Sequence, residues 1–302
     1  MDYIRHSDAN EFTARYMDSI LIEQRIIDSV KADISTEFFG KKFDMPVLTP
    51  AFSHLKNFNG RQENGLFEYS LAAKKSNVLS FVGMMENDAF ARIIESGADT
   101  IRIVKPYADS GKTIDQFEFA KEVGAFGIGI DIDHIFGNTG YDIVLGEEMS
   151  GRTCDMLRSY IEATDLPFIV KGVLSVSDAL KCAEVGAKGI IVSHHHGRMP
   201  YSVPPMMVLP KIKEALKGKD IKIFVDCGIE SGADVYKALA LGADGAAVGR
   251  SMMTPLEEGG TDGVCRFLTE VGNELRFIMS NTGFAKVTEV DSSALHMYQV
   301  PV

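Results

Sequence analysis

The sequence is short of basic residues, of long apolar runs and of paired cysteines. Its 31 lysines and arginines stand against 42 aspartates and glutamates, giving a net charge of -11. Nucleic acids and anionic membranes are bound by clustered basic faces, so we expect neither as a partner. No stretch approaches the roughly 20 apolar residues of a membrane span, and the N-terminus lacks the apolar core of a secretion signal. We therefore expect a cytoplasmic protein with a small ligand.

The four cysteines are far apart and form neither a CxxC pair nor a zinc-binding spacing. Scattered reduced thiols are the expected state, without disulfides. No metal site is expected from them.

The chain does contain a regular alternation of short apolar runs with amphipathic helical segments. The eight runs lie at residues 46–51, 78–82, 100–105, 127–133, 167–171, 189–193, 222–226 and 245–249. Eight such βα units predict a (β/α)8 TIM barrel, an α/β fold. We expect one domain over residues 1–302, in which the barrel occupies 46–302. Residues 1–45 are predicted to be a helical extension, because Phe12, Tyr16 and Ile20 recur at helical spacing.

The C-terminal ends of barrel strands carry the active site in this fold, so the polar residues there are the candidates. After strands seven and eight come Asp226-Cys227-Gly228 and Gly249-Arg250. Small residues expose backbone N–H groups and the arginine adds a positive charge, which suits a phosphate. The alternative is that these glycines only form tight turns.

Two further strand ends carry side chains that could take part in catalysis. Lys171 ends an apolar strand, where a buried ammonium needs an anion or a strong acceptor, such as Asp131 or Asp133. The segment 192–199 (VSHHHGRM) offers a general base and an arginine fork within a few residues. We expect one catalytic histidine and at least one structural one. Metal binding is the alternative, with His194 and His196 on one face.

Two segments resemble the FMN-dependent α-hydroxy-acid dehydrogenases and oxidases, the glycolate oxidase and lactate oxidase family. Residues 167–198 are similar to the family's strand-five lysine and its Ser-Asn-His-Gly-x-Arg signature, and residues 225–250 are similar to its phosphate site. The resemblance implies an FMN cofactor and a homo-oligomer, commonly a tetramer. It also implies oxidation of a small 2-hydroxy acid to the 2-oxo acid, by proton abstraction and hydride transfer to flavin N5. The electron acceptor stays open.

The same resemblance implies roles for individual residues. His195 would be the base, oriented by Asp133, and Arg198 would bind the substrate carboxylate. Lys171 would contact the N1/O2 edge of the flavin and stabilise its reduced form. The other implied cofactor contacts are Pro50, Ala51, Ser80, Asp131, Ser193, Asp226, Cys227, Gly228, Gly249 and Arg250.

The chain departs from the family pattern at several of these positions. His194 and His196 replace an asparagine and a glycine of the signature, so either is an alternative base. Glu230 stands where the family has an arginine at the phosphate site, which predicts looser cofactor binding. In strand three the family has the pattern Gln-x-Tyr, whereas the corresponding residues here are Ile103-Val104-Lys105. The loop after strand four lacks the family's second carboxylate-binding arginine, and Lys105 or Arg152 is the candidate replacement.

These departures leave other activities open. One is an FMN-dependent isomerase, similar to the type 2 isopentenyl diphosphate isomerases, or a reductase. Another is a non-catalytic flavin-binding barrel. An inosine-monophosphate-dehydrogenase-like protein would need a catalytic cysteine loop, which we do not find in the sequence. The long connection at residues 134–149 is expected to act as a lid.

Overall fold

A computed structural model describes residues 7–137 and 140–298 of the chain. The strands are β1 (Ile20–Ile22), β2 (Thr36–Phe38), β3 (Lys41–Phe43), β4 (Val47–Leu48), β5 (Ser80–Val82), β6 (Thr100–Val104), β7 (Gly127–Asp131), β8 (Phe136–Gly137), β9 (Gly140–Tyr141), β10 (Ile143–Val144), β11 (Glu147–Glu148), β12 (Phe168–Val173), β13 (Gly189–Val192), β14 (Lys222–Val225), β15 (Gly245–Ala247) and β16 (Leu295–Met297). The helices are α1 (Ala9–Asp18), α2 (Gly65–Lys75), α3 (Asn87–Glu95), α4 (Ser110–Glu122), α5 (Cys154–Glu162), α6 (Val176–Glu184), α7 (Pro205–Ala215), α8 (Gly232–Ala240) and α9 (Met253–Asn281). Single 3-10 turns lie at Arg250–Met252, Val287–Glu289 and Ser292–Ala294.

The eight predicted runs form one parallel sheet, in the order β4-β15-β14-β13-β12-β7-β6-β5. Its two end strands meet where Thr49 N donates to Leu79 O over 3.3 Å, which closes the sheet into a barrel. Helices cover the outside, since each βα crossover returns the chain on that face. The predicted (β/α)8 fold is confirmed.

Alternate residues of each strand fill the barrel interior. These inward residues form a core of their own, which includes Leu48, Leu79, Phe81, Ile101, Ile103, Ile169, Ile191, Phe224 and Ala247. The residues between them point outward and pack against the helices, in a second and larger core. Because side chains of a strand alternate with a period of two, this pattern also decides which polar residues face inward at the strand ends.

Of the described residues before the barrel, 7–45, only those of α1 are helical, so the predicted helical extension is wrong beyond α1. The chain continues as β1, which pairs with β16 near the C-terminus, and then as the hairpin of β2 and β3. Phe38 and Phe43 of this hairpin are buried against the inner core, with the rings of Phe38 and Phe224 5.2 Å apart. The hairpin therefore plugs the bottom of the barrel. The hairpin pairs Thr36 with Phe43, and Phe38 follows Thr36 by two residues, so Phe38 and Phe43 share one face of the hairpin, which a helical extension would not provide.

The connection after β7 is not a structureless loop. It forms two short hairpins, β8 with β9 and β10 with β11. The side chains of Phe136, Ile143 and Leu145 are exposed on it. Among the described helices, none has the length and apolarity to cross a bilayer.

Candidate active site

The strand ends place a ring of polar groups at the top of the barrel interior. Two residues beyond the inward Ile103, Ile169 and Phe224 come Lys105, Lys171 and Asp226, so each of these also faces inward. The same register applies to Asp131, Ser193 and Gly249. The predicted convergence of these residues follows directly from the strand register.

Ser80 breaks this register. It lies between Leu79 and Phe81, which both point inward, so its own side chain points outward. Its hydroxyl accepts a hydrogen bond from Thr49 and donates to Ser70 of α2, over 3.0 and 3.2 Å. Ser80 is fully buried there and does not reach the cavity wall, so the predicted contact with the flavin ring is not supported.

His195 and Asp133 form a hydrogen-bonded pair at the centre of the site. The ring Nδ1 of His195 lies 2.6 Å from Asp133 Oδ1 and 3.5 Å from Asp131 Oδ2. Burial and the Lys171 ammonium lower the pKa of His195, but Asp131 and the hydrogen bonds to both carboxylates outweigh them, so the pKa is raised. Burial and the nearby Asp131 raise the pKa of Asp133 to about 6. The pair leaves Nε2 as the ring nitrogen available to a substrate.

A second pair, Lys105 with Asp131, is buried beside the first. Lys105 Nζ donates to Asp131 Oδ2 over 2.6 Å, and both residues are nearly inaccessible to solvent. Burial opposes ionisation of Asp131, but the ammonium groups of Lys171 and Lys105 hold its pKa well below the usual range. Asp131, Asp133 and His195 are close enough to ligate a metal ion. Because Asp131 already accepts a hydrogen bond from the Lys105 ammonium, these three residues are poorly suited to bind a metal cation.

A cavity of about 300 Å³ opens above this ring, which is within the size range of cofactor sites. Its walls include the predicted residues Pro50, Ala51, Lys171, His195, Asp226, Cys227, Gly228, Gly249 and Arg250. Asp131 and Ser193 are not in the described wall. Asp131 is engaged with Lys105, and the hydroxyl of Ser193 accepts a hydrogen bond from His195 N over 3.0 Å.

Lys171 points its ammonium at this cavity. Within residues 7–137 and 140–298 no group accepts a hydrogen bond from its Nζ. Its ion-pair partner there is Asp226, whose Oδ2 is 3.9 Å away, and not Asp131 or Asp133 as expected. Burial lowers the pKa of Lys171, yet Asp131 and Asp226 raise it above its ordinary value. A buried charged donor without an acceptor is costly. The site is thus built for an acceptor that enters the cavity.

The loops after β14 and β15 form the far end of the cavity. A Cβ built on Gly249 would enter the space beside Phe52 and Pro50, 3.6 and 3.8 Å away. Arg250 follows on an exposed 3-10 turn, while Glu230 is a further lining residue of opposite charge. Cys227 adopts a φ of 69°, which a glycine would adopt at lower cost. Burial and Asp226 raise the pKa of the Cys227 thiol to about 12, so it stays protonated.

The three consecutive histidines have three different environments. His194 is buried, 4% exposed, and both of its ring nitrogens are hydrogen-bonded, to Gly197 N and to Thr13 Oγ1. His195 lies at the cavity with Asp133, and His196 is exposed. The backbone of His195 and His196 is left-handed, with φ of 47° and 58°, although neither is a glycine. His194 is therefore the structural histidine, and the geometry favours His195 as the base.

Arg198 is held by the segment that follows β7. Its guanidinium forms an ion pair with Asp142, donates to Phe136 O over 3.2 Å and donates to His134 Nε2 over 3.1 Å. The His134 ring also packs edge-on against the His195 ring, with centroids 5.2 Å apart. Burial and the cations Lys105 and Arg198 lower the pKa of His134 to about 4, so its ring is neutral.

His134 and Asp142 were not predicted as site residues. His134 directly follows Asp133, and Asp142 lies in the predicted lid, but nothing in their spacing indicates a contact with Arg198. Arg152, one candidate for the missing cation, lies elsewhere. Its guanidinium donates to the main chain and side chain of Ser150 and to Tyr107 O. Lys105 is the candidate that the fold brings to the site.

Residues 1–153 and 142–297 match the model of the FMN-dependent dehydrogenase family. The chain belongs to this family. The crystal structure of mandelate oxidase with benzoyl-formic acid superposes with a TM-score of 0.87 at 25% identity, over 98% of this chain and 92% of that one.

Curated relatives match over a smaller share of their own length. L-lactate oxidase from Nostoc sp. is 33% identical over 171 residues, which are 56% of this chain and 47% of that protein. L-lactate dehydrogenase (cytochrome) from Wickerhamomyces anomalus is 29% identical over an alignment of 317 positions, gaps included, which covers 92% of this chain and 55% of that protein. The chain thus spans about half the length of these two relatives.

The family's cofactor is FMN, and the residues present fit it. Lys171 supplies the unsatisfied buried cation that a flavin's carbonyl edge would meet, and Gly249 leaves the space beside Phe52 and Pro50 open. Arg250 supplies a positive charge at the far end, where a phosphate needs one. Glu230 and its neighbour Asp234 also line the cavity, and their negative charges oppose a phosphate.

Proposed function

We propose that this protein is an enzyme that oxidises a small 2-hydroxy acid to the 2-oxo acid. The observation that carries the proposal is the His195–Asp133 pair at the wall of a cavity that also holds Lys171. A neutral His195 donates Nδ1–H to Asp133 and presents Nε2 to the substrate hydroxyl, whose proton it accepts. When bound, FMN supplies the acceptor for the α-hydrogen and its two electrons.

Lys171 would contribute by holding a positive charge at the cofactor's edge. A fixed cation in a dry site stabilises negative charge that develops during the reaction more strongly than water does. Its ammonium needs no rearrangement, because Asp131 and Asp226 raise its pKa and keep it charged, and no described residue accepts a hydrogen bond from it. Asp133 fixes the tautomer and the orientation of His195.

Arg198 would bind the substrate carboxylate, but only after a rearrangement. Its guanidinium now faces Asp142, a carboxylate of the lid. A substrate carboxylate would compete with Asp142 for the same fork, while His134 keeps Arg198 next to His195. Lys105 remains the proposed second cation, with its charge already shared with Asp131.

The test is an anaerobic titration of the FMN-loaded protein with a panel of 2-hydroxy acids, followed by flavin absorbance. Bleaching by at least one of them is the expected result. Bleaching by NAD(P)H alone would contradict the proposal and favour the isomerase or reductase, and no bleaching by any donor would favour a non-catalytic barrel. Reoxidation by air or by added dyes then identifies the acceptor class. The cytoplasmic location and the homo-oligomer stay predictions, to be checked by fractionation and by light scattering.

A further inference from the structure

One wall of the cofactor cavity is built by a helix that lies outside the barrel. Five residues of α1 line the cavity, namely Asn10, Thr13, Ala14, Met17 and Asp18. Gly228, Glu230 and Arg250 line the same cavity. Because α1 comes before the barrel in the chain, its position depends on side-chain contacts with the strand-end loops.

The central contact is made by His194, the buried histidine of the loop after β13. Gly197 N donates to His194 Nδ1 over 3.0 Å, so this nitrogen carries the lone pair and Nε2 carries the proton. Nε2 lies 2.8 Å from Thr13 Oγ1, to which it donates. The Thr13 hydroxyl in turn donates to Ala9 O over 2.8 Å. The hydrogen bonds therefore run in one direction, from the loop through His194 into α1.

Three further contacts hold α1 against the loop after β13, the loop after β14 and helix α8. Asn10 Nδ2 donates to His196 O over 3.2 Å, and Lys237 Nζ donates to Met17 O near the end of the helix over 2.9 Å. A Cβ on Gly228 would lie 2.6 Å from Thr13 Cγ2, so only glycine allows this approach. α1 therefore packs directly against the loop that follows β14.

We propose that His194 and Thr13 form a latch that holds α1 over the cavity and so controls the retention of FMN. His194 is a positioning residue in this role and does not touch the reacting atoms. The proposal rests on the assignment of FMN to the cavity. The latch has a clear use here, because Glu230 and Asp234 line the same cavity as Arg250, and their negative charges weaken the electrostatic retention of a phosphate. Closure by α1 supplies retention by a different means.

The test compares Thr13→Val with Thr13→Ser in the FMN-loaded protein. Valine keeps the shape of threonine but cannot accept from His194, whereas serine keeps the hydroxyl. Leaving a buried donor unpaired predicts an FMN dissociation constant about tenfold higher for Thr13→Val. Thr13→Ser should stay within about twofold of the wild type on the same grounds. Flavin fluorescence after dilution measures both the release rate and the affinity, without any turnover.

Hydrogen exchange provides the second measurement. If the latch acts as proposed, the amides of α1 exchange faster in Thr13→Val while those of the barrel strands are unchanged, which separates loosening of the helix from a loss of folding. His194→Asn should reproduce both effects. The proposal is overturned if Thr13→Val retains FMN as the wild type does, whether or not α1 loosens. A failure of every 2-hydroxy acid to bleach the flavin would remove the proposed activity but would leave the FMN release rates, and this test, intact.

Discussion

The two sides of the site differ in whether their charged groups already have close partners within the protein. On the side of β14 and β15, small residues and one arginine leave an open cavity, and Lys171 faces it with free donors. On the side of β6 and β7, the interior is filled by charges that are already paired, Lys105 with Asp131 and Arg198 with Asp142. A cavity with unmet donors is prepared for a permanent ligand, whereas paired charges must be rearranged or shared by a transient one.

This difference fits the lifetimes of the two ligands. A cofactor that stays bound gains from a preformed site, because no protein contact has to be broken when it enters. A substrate and its product must come and go, and an internal carboxylate such as Asp142 weakens binding of both. The comparison leads to four predictions, from the largest expected effect to the smallest.

The first prediction concerns His195, which lies between the two sides. His195→Asn should slow reduction of the bound flavin by a 2-hydroxy acid by about 10²–10⁴, the usual contribution of a general base. Stopped-flow absorbance measures this rate. His296→Asn is the matched control, because His296 lies on β16 and contacts Glu23, away from the site. A His195→Asn rate equal to that of the wild type would move the base to another residue.

The pH dependence of the same rate sharpens this result. Only neutral His195 accepts a proton, and its pKa is raised above the ordinary value by Asp131 and the hydrogen bonds to both carboxylates, against burial and Lys171. The rate should therefore rise with pH through an apparent pKa above about 6.5 and level off at higher pH. In Asp133→Asn the midpoint should shift to lower pH. A profile that falls over this range would contradict the role of His195.

The second prediction concerns the buried pair on the substrate side. Lys105→Met leaves the Asp131 carboxylate without its hydrogen-bonded cation and should lower the free energy of unfolding by about 3 kcal/mol. The double variant Lys105→Met/Asp131→Asn should be less destabilised than the sum of the single variants, since the two residues are in contact. Urea unfolding at one fixed excess of FMN measures all four proteins. Strict additivity would show that the pair is not coupled.

The third prediction concerns Lys171 on the cofactor side. Lys171→Met removes the cation that faces the cavity and should slow flavin reduction about 100-fold, as loss of a fixed charge at the reacting centre does. The reduction potential of the flavin should also fall, because the reduced, more negative form loses its counter-charge. Lys188→Met, an exposed lysine paired with Asp220, is the control. An unchanged potential would indicate that Lys171 does not face the flavin.

The fourth prediction tests the internal carboxylate. Asp142→Asn removes the carboxylate that pairs with the Arg198 guanidinium, so a substrate carboxylate no longer has to displace it. The KM for a 2-hydroxy acid should fall about fivefold, because a partly exposed ion pair contributes roughly 1 kcal/mol. The effect on kcat should be smaller. Glu147→Gln removes a charge from the same segment, where Glu147 pairs with Lys112, and should leave KM unchanged. Equal effects of the two variants would show only a change in overall charge.

The barrel and most of the residues around the cofactor cavity are predictable from the sequence alone. The eight apolar runs set the strands, and the period of two in each strand decides that Lys105, Lys171 and Asp226 face the interior above Ile103, Ile169 and Phe224. These features are local, so a pattern of residue types is sufficient to predict them. The direction of Ser80 was not predictable in this way, because Leu79 and Val78 are both apolar and only the structure shows that Leu79 and Phe81 point inward.

The roles of the three histidines, and the pairing of the cations with carboxylates, are visible only in the tertiary structure. His194, His195 and His196 are consecutive, and their roles depend on Thr13 and Asp133, which lie far away in the chain. The pairing of Arg198 with Asp142 likewise depends on how the segment after β7 folds back over the strand ends. Hydrogen bonds and ion pairs between distant residues depend on distances of a few ångströms, and these are fixed by packing rather than by residue order.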